Sequence, residues 1–290
     1  MILKENFNIT EENNCIIIDN PENFSIAQTF DCGQCFRFEK KNDSSYCGVA
    51  FGKYIELENV KDKLIIKNCT ADDFINIWYD YFDFGFDYKK CISSLSHDKT
   101  LKKACTFSSG IHILHQDKWE TLCSFIISQN NNIPRIKKII ENMCALYGDH
   151  IYTDENGKKF YSFPSAETLF LLGEKNIFDL KTGFRAKYIY DAAKKVALSE
   201  IDLDKIYDID TGKARDYLMQ IKGVGPKVAL CVLLFAFRKY DAFPVDVWMK
   251  RVLEKYYDNK FDKEYFGKYA GIAQQYLFYY ERCSCGVYLN

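Results

Sequence analysis

A lysine and an aspartate nineteen residues apart are the side chains best suited to chemistry in this sequence. Lys227 opens an apolar run directly after a proline, and Asp246 precedes an amphipathic stretch as a candidate helix N-cap. A helix N-terminus and partial burial both disfavour the cationic form of an amine. A neutral amine is a nucleophile, and a nearby carboxylate can stabilise a cation that forms beside it. The pair is therefore chemically suited to covalent catalysis by an amine.

A helix, a glycine turn and a second helix must position this lysine. The pattern predicts a helix-hairpin-helix motif over about residues 214–238, with Gly223 and Gly225 in the hairpin. Two glycines let the backbone approach another molecule closely, and the N–H groups that begin the second helix can bind a phosphate oxygen. Cys231 follows Lys227 by four residues, so both side chains lie on the same helix face.

A Gly-x-Gly turn before a helix is common, so the turn alone does not require Lys227 to react. The combination GVGPK followed by PVD is more specific. It resembles the helix-hairpin-helix DNA glycosylases, and within them the bifunctional 8-oxoguanine DNA glycosylase/lyases. The resemblance extends over roughly residues 20–285 and implies that Lys227 is the nucleophile and that Asp246 stabilises the developing cation.

Two further segments resemble the part of this family that recognises the damaged base. FDCGQCFRF contains Gly33, whose counterpart in the family accepts a hydrogen bond from N7–H of the oxidised base, a proton that guanine lacks. Near the C-terminus, Gln274 and Phe278 are four residues apart and share a helix face. The resemblance implies that the amide pairs with the Watson–Crick edge, while Phe278 and Cys231 lie on opposite faces of the base.

Other residues match family positions that contact the remaining DNA. The resemblance assigns Asn130 to the gap left by the extruded base, and Arg135 and Arg185 to the orphaned cytosine. Phe184 replaces the tyrosine of eukaryotic members, and an apolar ring can still wedge into a duplex. Trp248 stands where those members have histidine, so the phosphate contact expected there is either lost or made by the indole N–H.

Composition restricts the other classes of function. The chain has 290 residues, 48% of them hydrophobic, which is room for one large or two ordinary domains. Because the chain has 39 basic and 40 acidic residues, its net charge does not favour DNA. Binding to DNA therefore requires local basic faces, which we predict at 135–138 and 213–227. The apolar run at 228–237 is too short to cross a bilayer, and no N-terminal signal is visible. We expect a monomer in the cytoplasm, associated with the nucleoid in a bacterium, or in the nucleus of a eukaryote.

The twelve cysteines raise the question of a metal or redox protein. Cys32 and Cys35 form a CxxC, but a structural zinc site usually needs a second close pair. The other close pair, Cys283 and Cys285, has the wrong spacing, and no βαβ pattern surrounds the first pair. We therefore predict free thiols, no metal and no organic cofactor.

The predicted fold is α+β, with an antiparallel sheet domain at 1–112 followed by a helical domain at 113–290. Alternation predicts strands at 14–18, 34–40, 46–57 and 63–67, with a hairpin turn at 42–45. Helical spacing occurs at 71–82, 88–108, 118–128, 133–146, 165–172, 185–198 and 264–280.

These features together predict a bifunctional enzyme that flips 8-oxoguanine out of duplex DNA, preferably from opposite cytosine, and then cleaves the strand by β-elimination. A monofunctional alkylpurine DNA glycosylase is the first alternative, although it would lack the lysine. The second is a non-catalytic helix-hairpin-helix DNA-binding protein, which has no use for an amine and a carboxylate converging on one cleft.

Overall fold

The structure, a computed structural model, describes residues 2–4, 7–258 and 263–284. Seven antiparallel strands form one sheet with the order β1-β2-β3-β7-β6-β5-β4. In β3, Ile16 and Ile18 are buried and their neighbours are half-buried, which is the alternation that a sheet with one covered face requires. The strands are β1 Ile2–Lys4, β2 Phe7–Glu12, β3 Cys15–Asp19, β4 Phe38–Asn42, β5 Ser45–Ala50, β6 Lys53–Val60 and β7 Lys63–Lys67.

The predicted strand at 34–40 is wrong over its first half. A short helix, α1 (Ile26–Asp31), precedes it, and Ser25 caps this helix by accepting a hydrogen bond from the N–H of Gln28. The chain then loops through Gln34, and β4 begins only at Phe38. The alternation of residue types predicted a strand that begins at Gln34. Gln34 is instead a buried loop residue, because its polar amide is hydrogen-bonded to backbone groups distant in sequence.

Most of the remaining chain is helical, as predicted. The first helical group is α2 Ala71–Asp73, a π-helical turn Phe74–Trp78, α3 Tyr79–Tyr81, α4 Tyr88–Leu95 and α5 Lys99–Phe107. The second group is α6 Lys118–Ser128, α7 Ile133–Tyr147, α8 Ala166–Ile177, α9 Ala186–Ala197, α10 Thr211–Leu218, α11 Pro226–Phe237, α12 Val247–Tyr257, α13 Lys263–Phe266 and α14 Ala270–Ser284. A small hairpin, β8 His150–Thr153 and β9 Lys159–Tyr161, interrupts the second group.

Two large hydrophobic clusters underlie this α+β fold. One lies beneath the sheet and includes Ile16 and Trp78, whereas the other fills the space between the helices and includes Phe125 and Phe235. Helices α4 and α5 contribute to the second cluster, so the division at residue 112 stays a prediction. In the described part of the chain, no helix is long and apolar enough to cross a membrane.

Candidate active site

Helix α11 carries Lys227 at its start, directly after Pro226 in the first helical position. Most of the helix is buried, because nine of its twelve residues face the core. Lys227 is half-buried, and its Nζ lies 5.5 Å from the centroid of the Phe125 ring. One turn later, burial raises the pKa of the Cys231 thiol, an effect that the neighbouring lysine ammonium opposes. The first turn of α11 therefore brings a thiol and an amine together.

One cavity of about 60 Å³ collects every residue that the sequence predicted for catalysis or for binding the damaged base. Those predicted residues are Gly33, Lys227, Cys231, Asp246, Gln274 and Phe278. The sequence assigned neither catalysis nor base binding to the other lining residues, which are Cys32, Phe125, Phe235, Pro244 and Gln275. Because ligand pockets usually enclose about 300–1,000 Å³, a purine can enter only if lining side chains move.

The loop around Gly33 is held from two sides. Gly33 has a φ of +79°, and a Cβ built there would lie 3.9 Å from Cε1 of Phe278. The side chain of Gln275 donates a 2.7 Å hydrogen bond to the carbonyl of Cys32. The Gln34 amide makes three further bonds of 2.8, 2.8 and 2.9 Å, with Thr29, His112 and Leu114. Gly33 therefore lines the cavity between two neighbours that are held by hydrogen bonds.

Gln274 presents a polar atom that lacks a partner. The side chain is only 5% exposed, and among the described residues its Oε1 accepts no hydrogen bond. Leaving a buried acceptor unpaired is unfavourable, so this position favours a ligand that brings a donor. Phe278 lies one turn later on α14 and lines the same cavity. An amide and an aromatic ring at this spacing can bind the edge and the face of a planar base.

Asp246 is the N-cap of α12, as predicted. Its Oδ1 accepts a 2.8 Å hydrogen bond from the N–H of Met249. Within the described ranges, Oδ2 accepts none, so one carboxylate oxygen remains for a ligand in the cavity. The charge of Asp246 also acts to raise the pKa of the Cys231 thiol, which places the carboxylate beside the first turn of α11.

A second cluster contains the residues predicted to contact the opposite strand. Arg185 is only 2% exposed and donates hydrogen bonds of 2.8 Å to the carbonyls of Gln129 and Asn130. Arg135 is exposed, and among the described residues its guanidinium group has one hydrogen bond, a 3.4 Å contact with the carbonyl of Lys181. The ring of Phe184, 49% exposed, lies 4.4 Å from Cζ of Arg185. Arg135 is therefore free to bind DNA, whereas most donors of Arg185 already join two loops.

Helix α9 connects this cluster with the hairpin before α11. Phe184, just before α9, makes an edge-to-face contact with Tyr188 at 6.1 Å. The Tyr188 ring lies against the hairpin, where a Cβ on Gly223 would come within 2.3 Å of it. One turn later, Asp191 accepts a 2.7 Å hydrogen bond from the N–H of Lys222. The exposed ring and the hairpin are thus held at a fixed separation.

The two hairpin glycines should respond differently to substitution by alanine. Gly223 has a φ of +80° and no room for a Cβ, so Gly223→Ala should destabilise the protein by about 2–5 kcal/mol in a thermal melt.

Gly225 has a φ of −92° and no heavy atom within 4 Å of a built Cβ. Gly225→Ala should therefore stay folded but bind duplex DNA roughly tenfold more weakly, a change of about 1.4 kcal/mol, because the methyl group blocks phosphate approach. Normal DNA binding by a folded Gly225→Ala protein would exclude the hairpin as a contact.

The remaining predicted residues lie near the rim or in the core. Trp248 lies in the first turn of α12, where it contacts the guanidinium groups of Arg251 and Arg282. Cys32 and Cys35 are both buried, and burial raises the pKa of the Cys32 thiol to about 12. Such thiols are poor nucleophiles and poor metal ligands. Cys285 lies outside the described residues.

Besides those lining residues, sequence reasoning missed Gln34, Tyr188 and Arg282, which also shape these sites. Only Arg282 had a visible signal, because it continues the four-residue spacing of Gln274 and Phe278 along α14. The contacts of Gln34 and Tyr188 join segments far apart in sequence, where no local pattern marks them.

Comparisons with known proteins agree with this geometry. Residues 16–122 match a family described as 8-oxoguanine DNA glycosylase, N-terminal domain, and residues 123–266 match the HhH-GPD superfamily base excision DNA repair proteins. A probable N-glycosylase/DNA lyase of Methanothermobacter thermautotrophicus is 32% identical over 70% of this chain and 73% of that protein. An N-glycosylase/DNA lyase of Saccharomyces cerevisiae is 31% identical over 85% and 72%. The chain also resembles a solved 8-oxoguanine glycosylase/lyase of Clostridium acetobutylicum in complex with dsDNA containing cytosine opposite 8-oxoG, with a TM-score of 0.91, 39% identity and coverage of 96% and 99%.

Proposed function

This chain belongs to the 8-oxoguanine DNA glycosylase family of the HhH-GPD superfamily, and we propose that its cavity receives an 8-oxoguanine base extruded from duplex DNA. The chain is a DNA N-glycosylase and lyase, and the alternative of a non-catalytic DNA-binding module is therefore not supported. The observation that carries the proposal is the convergence of an amine, a carboxylate, an unpaired amide oxygen and an aromatic ring on one cavity.

The proposed reaction uses the amine and the carboxylate in turn. Nζ of Lys227 attacks C1′ of the extruded nucleotide, and the electron pair of the N-glycosidic bond leaves with the base, which takes up a proton. Asp246 stabilises the positive charge that develops on the sugar. Loss of the amine proton and opening of the sugar ring give a Schiff base. Removal of a C2′ proton then expels the 3′ phosphate by β-elimination, and water releases the lysine. No step requires a metal or an organic cofactor, and we expect the protein to act as a monomer.

Recognition of the oxidised base is assigned in this proposal to residues that line the cavity. The carbonyl of Gly33 accepts a hydrogen bond from N7–H, which guanine does not have. Gln274 pairs with the Watson–Crick edge, and Phe278 and Cys231 cover the two faces of the ring. A site built to bond one N–H group rejects an analogue that lacks it, because the acceptor is then left unpaired.

The lysine also bears on the alternative of a monofunctional alkylpurine glycosylase. Such an enzyme activates water and needs no amine in its cavity, whereas Lys227 lies against Phe125 in the wall of this one. The relatives of Methanothermobacter thermautotrophicus and Saccharomyces cerevisiae, at 32% and 31% identity, are named as N-glycosylase/DNA lyases, which agrees with a reacting amine. A DNA-3-methyladenine glycosylase of Bacillus subtilis covers 81% of this chain at the lower identity of 25%.

Selectivity for the base opposite the lesion is the sharpest test of the proposal. We expect single-turnover release of 8-oxoguanine, with strand nicking, to be faster opposite cytosine than opposite adenine, guanine or thymine. Arg135 is exposed and suited to cytosine acceptors, a contact worth about 1–3 kcal/mol. Arg135→Ala should reduce the ratio between the rate opposite cytosine and the rates opposite the other bases by roughly tenfold, mainly by slowing base release from the duplex with cytosine.

Lys138 supplies the control for this substitution, because it is exposed on the same helix and pairs with Glu141 at 2.9 Å. Lys138→Ala should leave the preference unchanged. Equal wild-type rates on all four duplexes would show that Arg135 contacts phosphate instead. Arg185→Ala is a poorer test, because it also removes the bonds that hold the loop at Asn130.

A further inference from the structure

Arg282 extends the row of cavity side chains along α14. It follows Phe278 by four residues and Gln274 by eight, which places all three on one face of the helix. Its Cζ lies 5.2 Å from the centroid of the Phe278 ring and 5.5 Å from that of Trp248. The guanidinium group thus lies between a ring that lines the cavity and a ring at the start of α12.

In the part of the chain that the structure describes, the donors of Arg282 have no protein acceptor. Its Nε is buried, and among the described residues no acceptor or carboxylate pairs with the side chain. Burial lowers the pKa of Arg282, while the nearby charge of Asp246 acts in the opposite direction. A guanidinium group stays charged in any protein environment, so this position holds a cation to which no anion among the described residues is hydrogen-bonded. Such an arrangement favours an anionic acceptor supplied by a ligand.

A second unpaired cation lies at the same place. Arg251 contacts the Trp248 ring, with its Cζ 4.8 Å from the centroid, and within the described ranges it forms no ion pair. Trp248 therefore contacts two guanidinium groups beside the N-cap Asp246. Stacking on an indole fixes the plane of a guanidinium group while leaving its edge free for hydrogen bonds.

We propose that Arg282 binds a backbone phosphate that flanks the extruded nucleotide, and that Trp248 and Phe278 hold the guanidinium plane for this contact. The inference rests on the proposed function, which brings the sugar of that nucleotide to Lys227 and Asp246. A nucleotide with its base against Phe278 and its sugar beside Asp246 carries its nearest negative charges on the two flanking phosphates. Arg282 contacts Phe278 and lies near Asp246, so it can reach one of them.

Binding of a lesion duplex tests this contact. The measurements use the Lys227→Gln protein, so that no turnover occurs, and vary the salt concentration. Adding Arg282→Gln should weaken binding roughly tenfold and reduce the slope of log K against log salt by about 0.9, the value for one lost phosphate contact. Arg282→Lys should retain the slope. Lys61→Gln, in the exposed turn between β6 and β7, removes one charge elsewhere and should change neither quantity.

Duplexes with one neutral methylphosphonate identify the partner. Neutralising the phosphate on the 5′ or the 3′ side of the lesion should weaken binding by the protein that retains Arg282. In the Arg282→Gln protein, neutralising the phosphate at one of these two positions should cause no further loss of binding affinity. Two results would overturn the proposal and leave Arg282 as a packing partner of Phe278. One is a salt slope that Arg282→Gln does not change, and the other is that each methylphosphonate weakens binding by the Arg282→Gln protein as much as it weakens binding by the protein that retains Arg282. Base release by the wild-type protein, measured in parallel, tests the proposed function separately. If Arg282→Gln does not fold, a loss of slope in folded Arg282→Lys would also contradict the proposal.

Discussion

Lys227→Gln is expected to abolish the covalent adduct that borohydride traps between the wild-type protein and a duplex containing 8-oxoguanine. Glutamine has a similar length but no nucleophilic amine, so neither a Schiff base nor a nick can form. Base release should fall by at least on the order of 10³, as is usual when a covalent nucleophile is removed. Denaturing gels that separate adduct, nicked strand and intact strand would measure all three outcomes.

Lys222 provides the matched control. It lies in the same hairpin and is exposed, while its backbone N–H is held by Asp191. Lys222→Gln should weaken DNA binding slightly and still give the adduct. An adduct at wild-type yield from the Lys227→Gln protein would show that another amine reacts, and Lys222 would be the first to examine.

Asp246→Asn is expected to slow base release by on the order of 10²–10³, because a fixed negative charge beside the developing cation is lost. The affinity for a lesion duplex should change little, since the carboxylate acts on the transition state. Asparagine caps a helix about as well as aspartate, so the bond from Met249 can persist. Single-turnover rates at saturating enzyme, with a binding isotherm for each protein, would separate the two effects.

Asp246→Ala shows what the cap alone contributes. This variant should lose about 1 kcal/mol of stability in addition to the charge, whereas Asp246→Asn should melt near the wild type. A folded Asp246→Asn protein with nearly full activity would contradict the assigned role.

The cavity residues could be predicted because their signals are local. The pair Lys227 and Cys231 and the pair Gln274 and Phe278 each lie within about one helical turn. Their spacing depends on helix geometry, which the sequence encodes directly. The resemblance then joined these segments, and the structure places them around one cavity.

Contacts between distant segments could not be predicted in this way. Gln34 looked like part of a strand, but its amide bonds to His112 and Leu114, some eighty residues away. Arg185 looked like a free donor, and only the structure shows that it joins the loops at Asn130 and Thr182. Whether it also reaches the opposite base stays a prediction.

The small volume of the cavity has a consequence for how bases are chosen. With only about 60 Å³ between its walls, the cavity must widen before a purine can occupy it, so a base binds only to a conformer in which lining side chains have moved. The apparent affinity for any base is its intrinsic affinity multiplied by the population of that conformer. The same penalty applies to guanine and to 8-oxoguanine. If the Gly33 carbonyl has the proposed role, we expect a guanine that leaves it unpaired to return to the helix sooner, so that dwell time rather than entry determines the fidelity of the search.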